Sequence, residues 1–293
     1  MARAVAVVSV LALLAIVCTW VPGIVGTAGA AVLPWLGVVL LIVLVIALVF
    51  ARRTLLVTLV PVLAWVIAIA PSLPAPGAAN DAPALTIVSQ NVRAHSGGAA
   101  ASAAELAASG ADVIALTELD AESLAAAKDA LAESYPHSYA VGTVGVWSRY
   151  PLADAEPLSL GLSWKRALRV TVQEPGAATA VYVLHAASVR PGHQDGRDTM
   201  LSGLAQTVSA DESPSLVVVG DFNAASTDPA LNDLRGQLDW VRPTDGSLGL
   251  TWPAAFPLTR IDQVFSRGVT VVSSTTVRAG NSDHLATKTV FAG

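Results

Sequence analysis

The first 72 residues contain almost no charge, and this restricts what the chain can fold into. Only Arg3, Arg52 and Arg53 are ionised there, and the segment has no Asp or Glu. It consists of three apolar runs: 4–22, 31–50 and 54–72. Each run has about 19 or 20 residues, enough for a helix to cross a hydrocarbon core of about 30 Å. The pattern predicts three transmembrane helices over 1–72.

The rest of the chain has the opposite character. Of the 17 Lys and Arg residues, 14 lie beyond residue 72 together with all 22 Asp and Glu, so this part has a net charge of −8. Residues 73–83 are rich in Pro, Ala and Gly, which is typical of a linker. Residues 84–293 are enough for one domain with a substantial core. The one cysteine, Cys18, lies in the first apolar run, so the domain has no cysteine nucleophile and no cysteine-bound metal.

The positive charges predict how the helices are oriented. Arg3 precedes the first run, and Arg52 and Arg53 separate the second from the third, so these residues should face the cytoplasm. The uncharged 23–30 loop and the end of the third run then lie outside. An alternative makes the first run a signal peptide, with a weak cleavage site at residues 28–30. Both interpretations predict an extracytoplasmic domain. The interpretation with three transmembrane helices also predicts a multi-pass protein of the cell membrane.

Beyond the linker, short β-like runs alternate with Ala-rich helical segments. Strands are predicted at 84–91, 112–118, 145–148, 167–172, 180–186, 215–221 and 269–274. Helices are predicted at 100–109, 121–133, 196–210 and 227–237. This mixture of βα alternation and neighbouring strands predicts an α/β domain with two sheets in its core.

Polar residues capable of binding ligands recur where these strands end. They are Asn91, Glu118, His185, Asp221 with Asn223, Asp262, and Asp283 with His284. A single Asp after a strand usually caps a helix or forms a turn, and a single His is more often a packing residue. Six such positions in one chain indicate a convergent site, because strand ends in α/β sheets are where ligands bind.

The motifs around these residues resemble the endonuclease/exonuclease/phosphatase superfamily, whose fold is DNase I-like. The resemblance covers about 84–291. It is strongest in three motifs: VVVGDFNA (217–224), NSDHLA (281–286) and RIDQVF (260–265). Four weaker motifs follow the family's order: VSQNVR (88–93), IALTELD (114–120), VWSRYPL (146–152) and VLHAAS (183–188). The resemblance implies a four-layer α/β sandwich after the three transmembrane helices, and hydrolysis of a phosphoester by an activated water.

The resemblance also implies a metal site. Glu118 matches the metal-binding glutamate of the family, and Asn91 matches an asparagine that helps to position metal and phosphate. Asp283 adds a carboxylate nearby. Such hard oxygen donors suit Mg²⁺ or Mn²⁺.

Five further residues match catalytic positions of the family. Asp221 and Asn223 match the pair that orients the attacking water and holds a phosphoryl oxygen. His284 matches a histidine that contacts the phosphate, and Asp262 matches the carboxylate that orients it. His185 matches a second phosphate-contacting histidine. Donors directed at the phosphoryl oxygens lower the barrier, while a carboxylate accepts the proton of the water.

Several positions depart from the family or allow two interpretations. Arg93 stands where AP endonucleases place an acidic residue, and no carboxylate in 139–148 is available to orient His185. Arg260 is equally compatible with a phosphate contact and with a structural role. Packing in the core is the favoured role of Trp252.

The membrane anchor favours a lipid substrate. The resemblance extends to a VanJ-like, membrane-anchored bacterial subgroup, which implies a phosphate-bearing lipid such as a polyprenyl phosphate or pyrophosphate. The alternative is an extracytoplasmic nuclease acting on DNA or RNA. The acidic domain, whose longest basic run is Lys165-Arg166, makes nucleic acid a less favoured partner. A non-catalytic binding module is a third alternative. The implied partners are therefore the membrane and a phosphorylated lipid, with no obligate protein partner.

Overall fold

The computed structural model describes residues 1–78, 83–190, 192 and 194–292. The chain divides into two units. The first comprises Met1–Leu73 with Ala224–Asn232, and the second comprises Pro74–Asn223 with Asp233–Gly293. Each unit has its own apolar clusters.

The first unit contains three apolar helices: α1 (Ala2–Cys18), α2 (Ile24–Phe50) and α3 (Leu55–Ile69). Short 3-10 turns extend α3 to Arg52–Ser72. By length and composition, α2 and the extended α3 can each cross a membrane. Helix α1 ends at Cys18 and has 17 residues. At 1.5 Å per residue its length is roughly 26 Å, shorter than a hydrocarbon core of about 30 Å. Two candidate spans are therefore found where the sequence predicts three.

The predicted 23–30 loop is wrong, because α2 already begins at Ile24. Small residues permit this early start. A Cβ added at Gly26 would lie 2.0 Å from the backbone oxygen of Val21, and one added at Gly29 would lie 3.1 Å from the side chain of Thr19. The glycines therefore allow the start of α2 to pack against the turn that ends α1.

The second unit is built on two six-stranded sheets. The strands of the first sheet are β1 (Pro83–Asn91), β2 (Val113–Thr117), β3 (His137–Val141), β4 (Val144–Ser148), β11 (Val271–Val277) and β12 (Ala286–Ala292). Those of the second sheet are β5 (Leu152–Leu158), β6 (Ala167–Glu174), β7 (Ala177–His185), β8 (Leu216–Asp221), β9 (Asp239–Trp240) and β10 (Asp262–Arg267). The orders are β11-β12-β1-β2-β4-β3 and β5-β6-β7-β8-β10-β9.

The two sheets pack face to face across an apolar core. One cluster of buried side chains joins residues of both sheets, including Ile87, Val146, Val183 and Val219. Helices α4 (Ala99–Ala108) and α5 (Ala121–Leu131) cover the outer face of the first sheet, where Leu106 and Leu131 are buried. Helix α6 (Asp195–Ala210) buries an apolar stripe that includes Met200 and Leu204. The predicted α/β sandwich of two sheets is confirmed.

Two predicted segments need correction. The helix expected at 227–237 is a 3-10 turn, Pro229–Leu231, followed by the single-turn α7 (Asn232–Arg235). The linker is not detached from the domain, because Ala75 donates to the carbonyl of Pro243 and Ala78 donates to that of Val271. Residues 79–82 of the linker lie outside the described residues. Ala75 and Ala78 are therefore attached to the domain by backbone hydrogen bonds, and the linker is shorter than the predicted 73–83.

Candidate active site

Within each of the two sheets, strand register places predicted site residues at neighbouring strand ends. Strand β1 ends at Asn91 beside Thr117, the last residue of the parallel strand β2. Strand β7 ends at His185 beside Asp221, the last residue of the parallel strand β8. Strand β10 runs antiparallel to β8 and begins at Asp262, directly opposite Asp221. His185 and Asp262 therefore flank Asp221 on its two sides.

Asp221 is held by donors from both sheets. Nδ2 of Asn91 donates to Oδ2 of Asp221 at 2.9 Å, and the backbone N–H of Asn223 donates to Oδ1 at 2.8 Å. The amide of Asn223 also donates to the carbonyl of Ala186 at 3.0 Å. The backbone N–H of Arg93 donates to Oδ1 of Asn91 at 2.9 Å, which fixes the orientation of that amide. The two direct contacts restrain the buried Asp221 carboxylate in one orientation, and the other two fix the side chains of Asn91 and Asn223.

A second pair lies beside Asp221. Nδ1 of His284 is 2.9 Å from Oδ2 of Asp262, and both side chains are buried. The loop that contains His284 is tied to the first sheet through Ser282, whose hydroxyl donates to the carbonyl of Asn91 and accepts from the backbone N–H of His284. A Ser-Asp pair after a turn is also typical of a helix cap. In the structure, Ser282 instead holds His284 at the site.

Burial and charge shift the pKa of both ionisable partners. Burial raises the pKa of Asp221 to about 7, assisted by the negative charge of Asp262 and opposed by His284. Burial alone would lower the pKa of His284, but the charge and hydrogen bond of Asp262, with smaller effects of Asp221 and Asp283, raise it to about 9. At neutral pH, His284 is therefore an imidazolium held by the Asp262 carboxylate.

The donor set is compatible with a hard divalent cation. Glu118 follows β2, is half-buried and has a φ of 59°. Asp283 is also half-buried, and Asn91 contributes an amide oxygen. Among the described residues, no group of three or more His, Cys, Asp and Glu side chains is arranged for a metal. Mg²⁺ commonly uses one or two protein carboxylates and keeps several waters. By type, the two carboxylates and the amide oxygen are donors that this ion accepts.

The surroundings of His185 include two residues that sequence reasoning missed. Nδ1 of His185 is 2.9 Å from Oγ1 of Thr143, and Nε2 is 2.6 Å from Nη2 of Arg166. Thr143 thus supplies a hydroxyl to His185 from the segment 139–148, which contains no carboxylate. Burial and the charges of Arg166 and His284 lower the pKa of His185 well below its usual value. His185 is therefore neutral, and the Lys165-Arg166 pair was the one sequence signal for its partner.

Arg260 and Trp252 are also placed by the structure. The buried guanidinium of Arg260 donates to the carbonyl of Val241 at 3.1 Å and stacks 4.8 Å from the ring centre of Trp240. These contacts favour its structural role. Trp252 is 40% exposed, so its predicted packing in the core is wrong. It lies on a loop whose residue Ala254 donates to the carbonyl of Asp283.

A sequence model of the Endonuclease/Exonuclease/phosphatase family matches residues 78–284, more than half of the chain, and the matched segment includes every residue of the candidate site. The chain belongs to this family. Its members hydrolyse phosphoesters in a metal-dependent manner. No curated protein matched the chain.

Solved structures of family proteins share the fold. TDP2 of D. rerio, complexed with a single-strand DNA product, is 20% identical with a TM-score of 0.60, covering 71% of this chain and 99% of that one. Sphingomyelinase C of Streptomyces griseocarneus is 16% identical with a TM-score of 0.54, covering 72% and 100%. A Staphylococcus aureus beta toxin mutant with bound magnesium ions is 15% identical with a TM-score of 0.51, also covering 72% and 100%.

Proposed function

We propose that this family member is a Mg²⁺- or Mn²⁺-dependent phosphoester hydrolase that acts outside the cell membrane on a phosphate-bearing lipid. The observation that carries the proposal is the assembly around Asp221. Asn91 and Asn223 fix its carboxylate, and the buried His284–Asp262 pair lies beside it. These residues belong to the motifs that resemble the family's catalytic residues.

Asp221 and His284 would carry the proton and charge chemistry. Hydrogen bonds to both carboxylate oxygens hold Asp221 in place to orient a water and accept its proton during attack on phosphorus. Nδ1 of His284 is used by Asp262, which leaves Nε2–H to donate to a phosphoryl oxygen. The resemblance gives Asn223 the role of holding a further phosphoryl oxygen, and its amide nitrogen also donates to the carbonyl of Ala186 and to Oδ2 of Asp221. All four groups are fixed before substrate arrives, which is the condition for electrostatic stabilisation of a transition state.

Glu118, Asn91 and Asp283 would hold the divalent cation. A bound Mg²⁺ supplies positive charge that stabilises the negative charge developing on phosphoryl oxygens. Asn91 is the last residue of β1, Glu118 follows β2, and Asp283 precedes His284. Because Asn91 also donates to Asp221, the cation would lie near Asp221.

Four exposed apolar side chains support a lipid substrate. In the described part of the second unit, the exposed large apolar residues are Trp164, Trp252, Phe256 and Leu258, here called the apolar rim. The rim lies on two loops that adjoin the site. In the first loop Trp164 stacks on Arg166. In the second loop, which carries the other three residues, the backbone N–H of Ala254 donates to the carbonyl of Asp283. Exposed apolar surface beside a polar site favours a substrate that joins a phosphate to a hydrocarbon chain.

The candidate spans support the location. The charges at Arg3, Arg52 and Arg53 favour a cytoplasmic position for these residues and an outer position for the domain. A polyprenyl phosphate or pyrophosphate carrier, as implied by the resemblance to the VanJ-like subgroup, combines a membrane location with a phosphate. We take this lipid class as the preferred substrate.

An extracytoplasmic nuclease is the second candidate, because one similar structure contains a single-strand DNA product. Purified full-length protein should be assayed, with and without Mg²⁺, on polyprenyl diphosphate, phospholipid, sphingomyelin and DNA. Release of phosphate or phosphorylated headgroup from a lipid, absent in the Asp221→Asn variant, is the expected result. Preferential cleavage of DNA would support the nuclease, and no turnover on any substrate would support a binding module.

A further inference from the structure

Arg166 is a buried cation that pairs with no carboxylate of the described residues. The residue is 8% exposed. Nε donates to the carbonyl of His185 at 2.7 Å, Nη2 donates to that of Ala186 at 3.1 Å, and Nη2 also contacts Nε2 of His185. Within the described part of the chain, Arg166 forms no ion pair and Nη1 has no hydrogen-bonding partner. A buried charge normally requires an opposite charge, so this guanidinium is suited to an anionic ligand.

The contact between Arg166 and His185 fixes the tautomer of the histidine. A guanidinium only donates, so Nε2 of His185 must accept from Nη2 of Arg166. The ring proton is then on Nδ1 and is directed at Oγ1 of Thr143, 2.9 Å away. In this arrangement Nε2 has no proton to give to a phosphate. His185 instead acts as the acceptor that holds the guanidinium.

The guanidinium faces the candidate site. Burial lowers the pKa of Arg166, and the negative charges of Asp221 and Glu118 oppose this effect. Both carboxylates are therefore close enough to interact electrostatically with Arg166. The ring of Trp164 lies 4.6 Å from Cζ and covers one face of the guanidinium. Its N–H groups are left at the edge of the plane, where arginine binds phosphate oxygens.

We propose that Arg166 binds a phosphoryl oxygen of the substrate and that His185 and Thr143 position its guanidinium. The inference rests on the proposed phosphoester hydrolase function. It changes the role of His185 from a direct phosphate contact to a positioning residue. It also adds a cation that stays charged at any working pH, beside the imidazolium of His284. Two such donors fit the terminal phosphate of a monoester or a pyrophosphate.

The test uses the full-length protein with Mg²⁺ and two readouts: kcat/KM on the best substrate, and inhibition by inorganic phosphate. Arg166→Gln should lower kcat/KM by about 100-fold, the loss expected for one donor to developing charge, and should weaken inhibition by phosphate at least about tenfold. Arg166→Lys should recover part of both, because it restores the charge without the planar fork. Unchanged phosphate inhibition in both variants would overturn the proposal.

The positioning role is tested by a double-mutant cycle. His185→Gln offers an amide oxygen as acceptor and should stay within about tenfold of wild type. His185→Phe offers none and should approach the loss of Arg166→Gln. The double variant Arg166→Gln/His185→Phe should be little worse than Arg166→Gln alone, since both changes remove one interaction. Losses that multiply would show that His185 acts independently of Arg166.

Two controls distinguish a failure of the proposed function from a failure of the role of Arg166. Asp221→Asn is measured beside the other variants. If Asp221→Asn is fully active, the proposed function fails. If it is inactive while Arg166→Gln and Arg166→Lys match wild type in both readouts, only the role of Arg166 fails. The melting temperature of each variant is recorded, and Arg166→Lys decides the phosphate-binding question if Arg166→Gln does not fold.

Discussion

His284 and Asp262 form a buried ion pair, with Nδ1 of the imidazole 2.9 Å from Oδ2 of the carboxylate. Asp262 lies directly opposite Asp221 in the antiparallel register of β10 and β8. Burial raises the pKa of Asp221, the negative charge of Asp262 raises it further, and the imidazolium of His284 partly opposes both effects. The pKa of Asp221 is raised to about 7, and that of His284 to about 9. The candidate site thus contains a proton acceptor near neutrality and a charged donor, the pair that hydrolysis of a phosphoester uses.

Replacing Asp221 separates catalysis from folding. Asp221→Asn changes almost no volume but removes the carboxylate that orients and deprotonates water. We expect turnover to fall by several powers of ten, the size of effect seen when a group that acts on the transition state is removed, while the melting temperature changes by only a few degrees. The matched control is Asp245→Asn, whose carboxylate bonds to Thr275 and Ser247 away from the site. Turnover of Asp221→Asn within about threefold of the control would contradict the assignment of the site.

Glu118 should determine metal binding. Glu118→Gln keeps the shape of the side chain and removes its charge, so the affinity for Mn²⁺, measured by electron paramagnetic resonance, should fall at least about tenfold. Activity should disappear with EDTA and return with Mg²⁺ or Mn²⁺. Glu122→Gln is the control, because Glu122 is an exposed residue in the first turn of α5. Full turnover in chelator would exclude a metal-dependent mechanism.

The sequence predicts the strands that end at the site because those strands are buried on both faces. Strand β8 is a continuous apolar run whose residues are all buried, and β2 has the same pattern. Such runs bounded by polar residues are strong signals for interior strands. Because each run ends at a polar residue, the sequence also predicts Asn91, Glu118, His185 and Asp221 as the ends that meet. In the structure, Asn91 and Glu118 lie at strand ends of the first sheet and His185 and Asp221 at strand ends of the second. The hydrogen bond from Asn91 to Asp221 joins the two sets.

The strands and contacts that the sequence missed depend on tertiary structure. Strand β5 (LADAEPL) contains two acids and a proline and is largely exposed at the edge of its sheet, so it lacks an apolar pattern. Thr143 and Arg166 have no distinctive local sequence, and they reach His185 from 42 and 19 residues away. The exposure of Trp252 likewise depends on a loop that no apolar period predicts. These contacts and this exposure depend on how loops pack in the folded protein, which the local sequence does not encode.

The location of the domain can be tested with fusions. Because Arg3, Arg52 and Arg53 should face the cytoplasm, a reporter fused after Gly293 should be active only if it matures outside the membrane. A fusion truncated after Arg53 should give the opposite result. This expectation does not depend on whether α1 crosses the membrane, since the side on which α3 ends is set by Arg52 and Arg53. Fluorescence of a cytoplasm-only reporter at Gly293 would overturn the orientation.

Asp211 should make stability depend on pH in the acid range. Burial would raise the pKa of Asp211, but hydrogen bonds from Arg169, Ser213 and Tyr182 hold it well below its usual value. A lowered pKa in the folded state stabilises the protein above the unfolded pKa of about 3.9, and this contribution disappears as the pH falls toward the folded pKa.

Asp211→Asn should therefore lower the free energy of unfolding at pH 7 by about 2 kcal/mol, less than the loss of about 3–5 kcal/mol for breaking a fully buried pair. The difference from wild type should shrink below about pH 4, as measured by thermal melting in detergent. The exposed Asp154→Asn is the control and should change stability by less than about 0.5 kcal/mol. A difference that grows with acidity would contradict the sign.

The apolar rim should matter for lipid substrates and not for soluble ones. Phe256 is 66% exposed, so Phe256→Ser removes apolar surface without leaving a cavity in the core. Removing contact with a hydrocarbon chain should lower kcat/KM about tenfold on a long-chain lipid phosphate, because a buried aromatic side chain contributes about 1.5–3 kcal/mol and only part of it is covered here. The same variant should hydrolyse a water-soluble aryl phosphate at the wild-type rate, which serves as the internal control.

If both substrates lose activity equally, Phe256 supports the site and does not contact lipid. If neither is affected while DNA remains a substrate, the nuclease would replace the lipid phosphatase, because the rim would then have no role in substrate recognition.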